Sequence, residues 1–139
     1  MKNAIDIEEE NKEIVRRYKA LLRSCNSEIT REDKKLIRKA FNLAVDAHKD
    51  DRRKSGEPYI FHPIAVAQIV AKDIGLDATS IACALLHDVV EDSEYTLTDI
   101  EKKFNRKIRK IINGLTKISG FSEQHISSQA ENFRKMLLT

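Results

Sequence analysis

Glycine and proline are scarce in this chain, four and two among 139 residues. An all-β fold with many tight turns needs both, so the scarcity argues against one and favours helices. Cysteine is scarce as well. Cys25 and Cys83 lack any short metal-binding spacing, and Cys83 sits in the apolar run 81–86 as a buried thiol. A reducing compartment fits this usage better than a disulfide framework. No run approaches the ~20 apolar residues that cross a bilayer. The N-terminal MKNAIDIEEENKE is acidic and polar, unlike a signal peptide. A cytoplasmic protein with no membrane partner is expected. The net charge of +3 is too small to imply nucleic acid by itself. What is present is 41% hydrophobic and 34% charged residues, without repeats or low-complexity tracts. Residues 1–139 therefore read as a single soluble, globular domain, long enough to bury a core without disulfide or metal staples.

The pattern is helical nearly throughout. A first helix is expected from about Ile7 to about Ser24, with Ile14, Val15, Tyr18, Leu21 and Leu22 at helical spacing. Thr30 caps a second, with Glu32 and Asp33 in its first turn and Leu36, Ile37, Ala40, Phe41, Ala44, Val45 and His48 on one face. Residues 50–62, DDRRKSGEPYIFH, break the stripe with Gly56 and Pro58 and read as a loop. Pro63 suits the first turn of a third helix that stops at Gly75. Asp77 caps a fourth, apolar all round, which runs without interruption into His87-Asp88-Val89-Val90-Glu91-Asp92. Such a helix belongs at the centre of the fold. Thr96, with Asp99 at capping-box spacing, starts a fifth, and Asn105 caps a sixth with Ile108, Ile111, Ile112 and Leu115 inward. A second loop follows Gly120, and a last helix covers about Ser127 to Leu138.

HDVVED, residues 87–92, is the strongest chemical signal. Glu91 stands four residues after His87, and Asp92 four after Asp88, so nitrogen and oxygen donors gather at one helix end. Three close carboxylates repel one another, and a divalent cation supplies the missing counter-charge. A solvated acidic terminus would carry the same letters, but acids at a helix C-terminus oppose its dipole without return. His62, at the junction of loop and third helix, can reach across to the same point, although a lone histidine there is more often a cap or core residue. With His87 and Asp88 it offers the donor mixture that suits Mn, Fe or Zn rather than Ca. His48 reads as a packed, hydrogen-bonded histidine, and His125 as a bland loop residue. Arg52, Arg53, Lys54, Ser55 and Gly56 form a compact cationic loop, either a solvated turn or an anion site. The basic run 102–110 reads as a wet helix face rather than a nucleic-acid surface.

Taken together, RKSGEPYIFHP (53–63), ALLHDVVED (84–92) and GLTKIS (114–119) resemble the hydrolase domain of RelA/SpoT homologues, from about Asp46 to the last residue. RKSGEPYxxHP is far more specific than HD alone. The resemblance implies an all-α fold, an HD-domain helical bundle. It also implies hydrolysis of (p)ppGpp at the 3′-pyrophosphate, releasing GDP or GTP and pyrophosphate in the stringent response, usually with Mn2+. By position, His62, His87 and Asp88 match three metal ligands. Glu91 and Asp92 match the acidic pair that positions the attacking water. Arg53, Lys54 and Ser55 match the loop that contacts the nucleotide, with Arg53 stacking on or pairing with its guanine end.

Ser93 stands where the family often has Thr. A larger departure is the family's fourth ligand, an aspartate in a later helix, for which the only acid of its type after Asp92 is the misplaced Asp99. With the apolar ending Met136-Leu137-Leu138, this suggests a domain cut short, weakly active or inactive alone and prone to self-association. The rival readings are an HD phosphohydrolase for another nucleotide and a non-catalytic regulatory or interaction module.

Overall fold

The computed structural model describes residues 4–25, 29–74 and 77–118. The last helix expected near Ser127, the loop after Gly120, and His125 lie outside the described residues, as does Gly75. Helices α1 (Ala4–Ser24), α2 (Arg31–Ala47), α3 (Phe61–Ile69), α4 (Ala78–Leu86), α5 (Val89–Asp92), α6 (Leu97–Lys103) and α7 (Arg106–Ile118) make up nearly all of it. Among the described residues there is no strand, only an isolated bridge between Arg52 and Pro58. The expected all-α bundle is what forms.

Local chemistry sets most boundaries. Thr30 accepts from the Asp33 amide, and the Asp33 carboxylate accepts from the Thr30 amide, both at 3.0 Å. Thr96 and Asp99 repeat this reciprocal cap on α6. Aspartate thus serves in both boxes where glutamate is the usual partner. Asp77 caps α4 through the Ser80 amide, and Asn105 caps α7 through the Ile108 amide. Each such cap stabilises its helix by about 1 kcal/mol.

Helix α4 is the hub, as its composition required. Every side chain from Ser80 to Leu86 is buried, and it packs on α2, α3 and α7. From α2 come Ile37, Ala40, Phe41, Leu43 and Ala44, from α3 Ile64, Val66 and Ala67, and from α7 Ile108 and Ile112. Helix α1 packs on α3 and stacks Tyr18 on Phe41 of α2 at 4.2 Å. Val15, expected on its inner stripe, is instead 47% exposed.

Two features depart from the pattern reading. The third helix does not run evenly to Gly75, because Val70–Ile74 widens into a π-helical turn. Nor does the fourth run unbroken through HDVVED. It ends at Leu86, the chain turns at His87 and Asp88, and α5 starts at Val89. The Ala84 carbonyl, which a continuous helix would give to the Asp88 amide, accepts from His87 Nδ1 at 2.6 Å. The imidazole takes over an acceptor of the helix ladder and so favours the turn.

Candidate metal centre

The turn at residues 87–88 solves a geometric problem, since neighbours on an unbroken helix diverge by ~100°. Here His87 Nε2 lies 3.0 Å from Asp88 Oδ2. His62, the second residue of α3, reaches in from the other side, its Nε2 3.8 Å from the same oxygen. One donor atom from each of His62, His87 and Asp88 lies within 4.8 Å of the others, and all three residues are buried. The structure thus brings together the three expected ligands.

The donor set fits a divalent metal on chemical grounds. Two imidazoles and one carboxylate suit first-row transition metals. With its Nδ1–H given to the Ala84 carbonyl, His87 presents Nε2 to the cluster, the arrangement that fixes a metal-binding imidazole. Asp88 is held by a phenol as well, since Tyr59 donates to Asp88 Oδ2 at 2.6 Å. Burial pushes the Asp88 carboxyl up, but the His87 contacts and the Tyr59 bond outweigh it and hold Asp88 down at about 2. Burial likewise opposes charge on His87, yet its bond and charge interaction with Asp88 raise it overall. A cation beside Asp88 is therefore favoured, whether a proton on His87 or a metal ion.

The loop that delivers Tyr59 and His62 is tightly closed. The Tyr59 amide bonds the Asp51 carbonyl, the Arg53 amide the Glu57 carbonyl, and the Gly56 amide the Arg53 carbonyl, all at 2.8–2.9 Å. Gly56 makes the reversal with φ of +101°, where a Cβ would be strained. The closure carries Tyr59 back beside His48, ring centroids 4.8 Å apart. His48 is buried and bonds Asp51 through Nδ1 at 3.2 Å, the packed role expected of it, while its Nε2 is buried without a partner among the described residues.

Glu91 and Asp92 sit on α5 at the solvent edge, with the Asp92 carboxyl partly shielded. Partial burial, then the charges of Asp88, Glu91 and Asp51, raise Asp92 to about 6. Of the cationic loop, Arg53 and Ser55 line a cleft of about 580 Å³ together with His62, whereas Lys54 is exposed outside its lining. Arg52 does not join them. It forks onto Glu10 of α1 at 2.8 and 2.9 Å and donates to the Gly56 carbonyl at 2.7 Å, so its work is structural. The basic run 102–110 stays on the wet face of α6 and α7, with Lys102, Lys103, Arg106, Lys107 and Lys110 exposed. The chemistry of Tyr59 and the α1 contacts escaped the motif reading, although Tyr59 lies inside RKSGEPY.

A buried cluster built from a histidine–aspartate pair and a histidine of another helix is the hallmark of HD domains. The HD domain family matches residues 40–139, and the chain belongs to it. The resemblance to RelA/SpoT homologues holds in the relatives. The chain is 47% identical over 104 residues to a probable guanosine-3′,5′-bis(diphosphate) 3′-pyrophosphohydrolase of Synechocystis, covering 74% of this chain and 14% of that protein. It is 41% identical over 102 residues to the Aquifex aeolicus protein named as that hydrolase, covering 73% and 14%. With the bifunctional (p)ppGpp synthase/hydrolase SpoT of Escherichia coli it shares 43% over 105 residues, covering 75% and 15%. The chain thus spans about one seventh of the length of these relatives. No described helix is long and apolar enough to cross a membrane.

Proposed function

We propose that this chain is a metal-dependent (p)ppGpp 3′-pyrophosphohydrolase domain, acting in the cytoplasm as part of the stringent response. The observation that carries this reading is the convergence of His62, His87 and Asp88 within 4.8 Å, with His62 also lining a cleft beside Arg53 and Ser55. The identity of 41–47% with proteins named as (p)ppGpp hydrolases supports the choice of substrate.

His62, His87 and Asp88 would hold the metal, Mn2+ by family resemblance. When bound, such an ion supplies Lewis acidity, drawing charge from a pyrophosphate oxygen and acidifying a water. Asp92, with Glu91 beside it, would orient the attacking water and take its proton, a role suited to a carboxylate whose proton affinity burial and the neighbouring acids raise. The water oxygen forms the new bond to the phosphorus next to the ribose. The P–O bond to the ribose 3′-oxygen breaks, and the proton passes on to that oxygen. Arg53, Lys54 and Ser55 hold the nucleotide, with Arg53 at its guanine end.

The test is a single-turnover assay with the chain in excess over ppGpp and with Mn2+ present, since slow turnover is expected. Release of GDP and pyrophosphate, stopped by EDTA and absent from His62→Ala and Asp92→Asn, is the expected result. A chain that neither binds nor cleaves ppGpp, or that cleaves another nucleotide from a panel in preference, overturns the reading.

A further inference from the structure

The cleft beside His62 has a wall outside the motif. Arg17, from α1, lines it with Arg53, Ser55, Phe61 and His62. Its guanidinium lies over the Phe61 ring, Cζ 4.0 Å from the centroid. Glu57, across the loop, is held below the usual carboxylate range first by the Ser55 hydroxyl, and in part by the charges of Arg53 and Arg17. Helix α1 is tied to this loop by the fork of Arg52 on Glu10. All of α1 precedes residue 40, where the family match begins.

We propose that Arg17 is a substrate-binding residue contributed by α1, holding the 5′-diphosphate of ppGpp. This rests on the hydrolase reading. The substrate carries a diphosphate at each end of its ribose, and only the 3′ group reacts. His62 belongs to both the metal cluster and the cleft, whereas His87 and Asp88 belong to the cluster alone. The cleft therefore leads away from the reacting end, towards the base and the 5′-phosphates. A guanidinium suits that end, because its planar fork gives two parallel N–H bonds to a phosphate. Stacking on Phe61 limits the rotamer freedom left to lose on binding. The Arg17 side chain is still 47% exposed, and its contact with Glu13 is a long 3.9 Å, so a ligand can reach it and compete.

The experiment titrates GDP and ppGpp separately into the full chain with Mn2+ present. GDP carries the 5′-diphosphate and lacks any 3′ phosphate. Arg17→Ala is expected to weaken both ligands about tenfold, the loss of one charge-assisted contact, and Arg17→Lys to weaken them less. Mn2+ affinity, read by electron paramagnetic resonance, stays unchanged. Unchanged GDP affinity in Arg17→Ala overturns the proposal, and so does a loss confined to ppGpp. Failure of the wild-type chain to bind ppGpp overturns the hydrolase reading and this inference together. Wild-type binding that Arg17→Ala leaves untouched overturns this inference alone. Should Arg17→Ala lose helical circular dichroism, Arg17→Gln supplies the same reading with the side-chain stem kept.

Discussion

Tyr59 and Asp88, 29 positions apart, are joined by a 2.6 Å hydrogen bond from the phenol to Oδ2. The bond aims the carboxylate at His62 and His87. Burial, together with the Asp88 charge, raises the Tyr59 phenol well above its ordinary value, so it remains a donor at any working pH. Tyr59→Phe keeps the ring beside His48 and His62 and deletes the donor. Mn2+ affinity should fall by about 10- to 100-fold, the usual effect of losing a partner behind a metal ligand. Electron paramagnetic resonance of free Mn2+ measures it, and unchanged affinity would show that Asp88 needs no such support.

Metal binding should also appear as stability. A ligand that binds only the folded chain raises its stability by about 2.7 kcal/mol at a hundred times its Kd. Thermal unfolding with and without Mn2+ should show this shift in the wild type and lose most of it in His62→Ala.

Asp92 makes stability depend on pH. Its folded value, about 6, lies above the ordinary 3.8, so the folded state holds the proton more tightly. That contribution is complete below 3.8 and is lost as pH rises through about 6. Asp92→Asn should therefore be more stable than wild type at pH 7 without metal, with the gap closing towards pH 3.8. Thermal melts across this range decide it.

His48 has the opposite sign. Burial holds it below 6.5 despite the Asp51 bond, so its contribution to stability is present above 6.5 and lost as pH falls below that value through its folded pKa. His48→Phe should flatten the acid side of the stability profile in chemical denaturation.

Leu85 is wholly inside the core at the hub of the bundle. Leu85→Ala should cost about 2–5 kcal/mol, the range for emptying a packed leucine site. Urea unfolding reads it, and a cost under about 1 kcal/mol would mean that α4 is not the central packing element.

The sequence carried most of this plainly because most of it is local. The reciprocal bonds at Thr30 and Thr96 join residues three apart, and the apolar run 81–86 could only be central. The convergence of His62 with His87 and Asp88 was expected from the family motif and is present. The turn at His87 was hidden, because the residue that interrupts the helix is a histidine rather than glycine or proline. Its effect depends on a ring reaching the Ala84 carbonyl. The pairing of Arg52 with Glu10 was hidden for another reason. The two are 42 residues apart, and only the docking of α1 makes them neighbours. The widening at Val70–Ile74 has no mark in its residues.

The interruption after Leu86 gives the donors and the acids separate mountings. His87 and Asp88 follow directly on a rod sunk in the core. Glu91 and Asp92 ride on a four-residue stub whose one buried anchor is Val89. The strand of chain leaving that stub is moored at Tyr95, whose hydroxyl grips Asp46 at 2.7 Å. A change at that mooring would reach Glu91 and Asp92 through α5 sooner than it reached His62, His87 and Asp88.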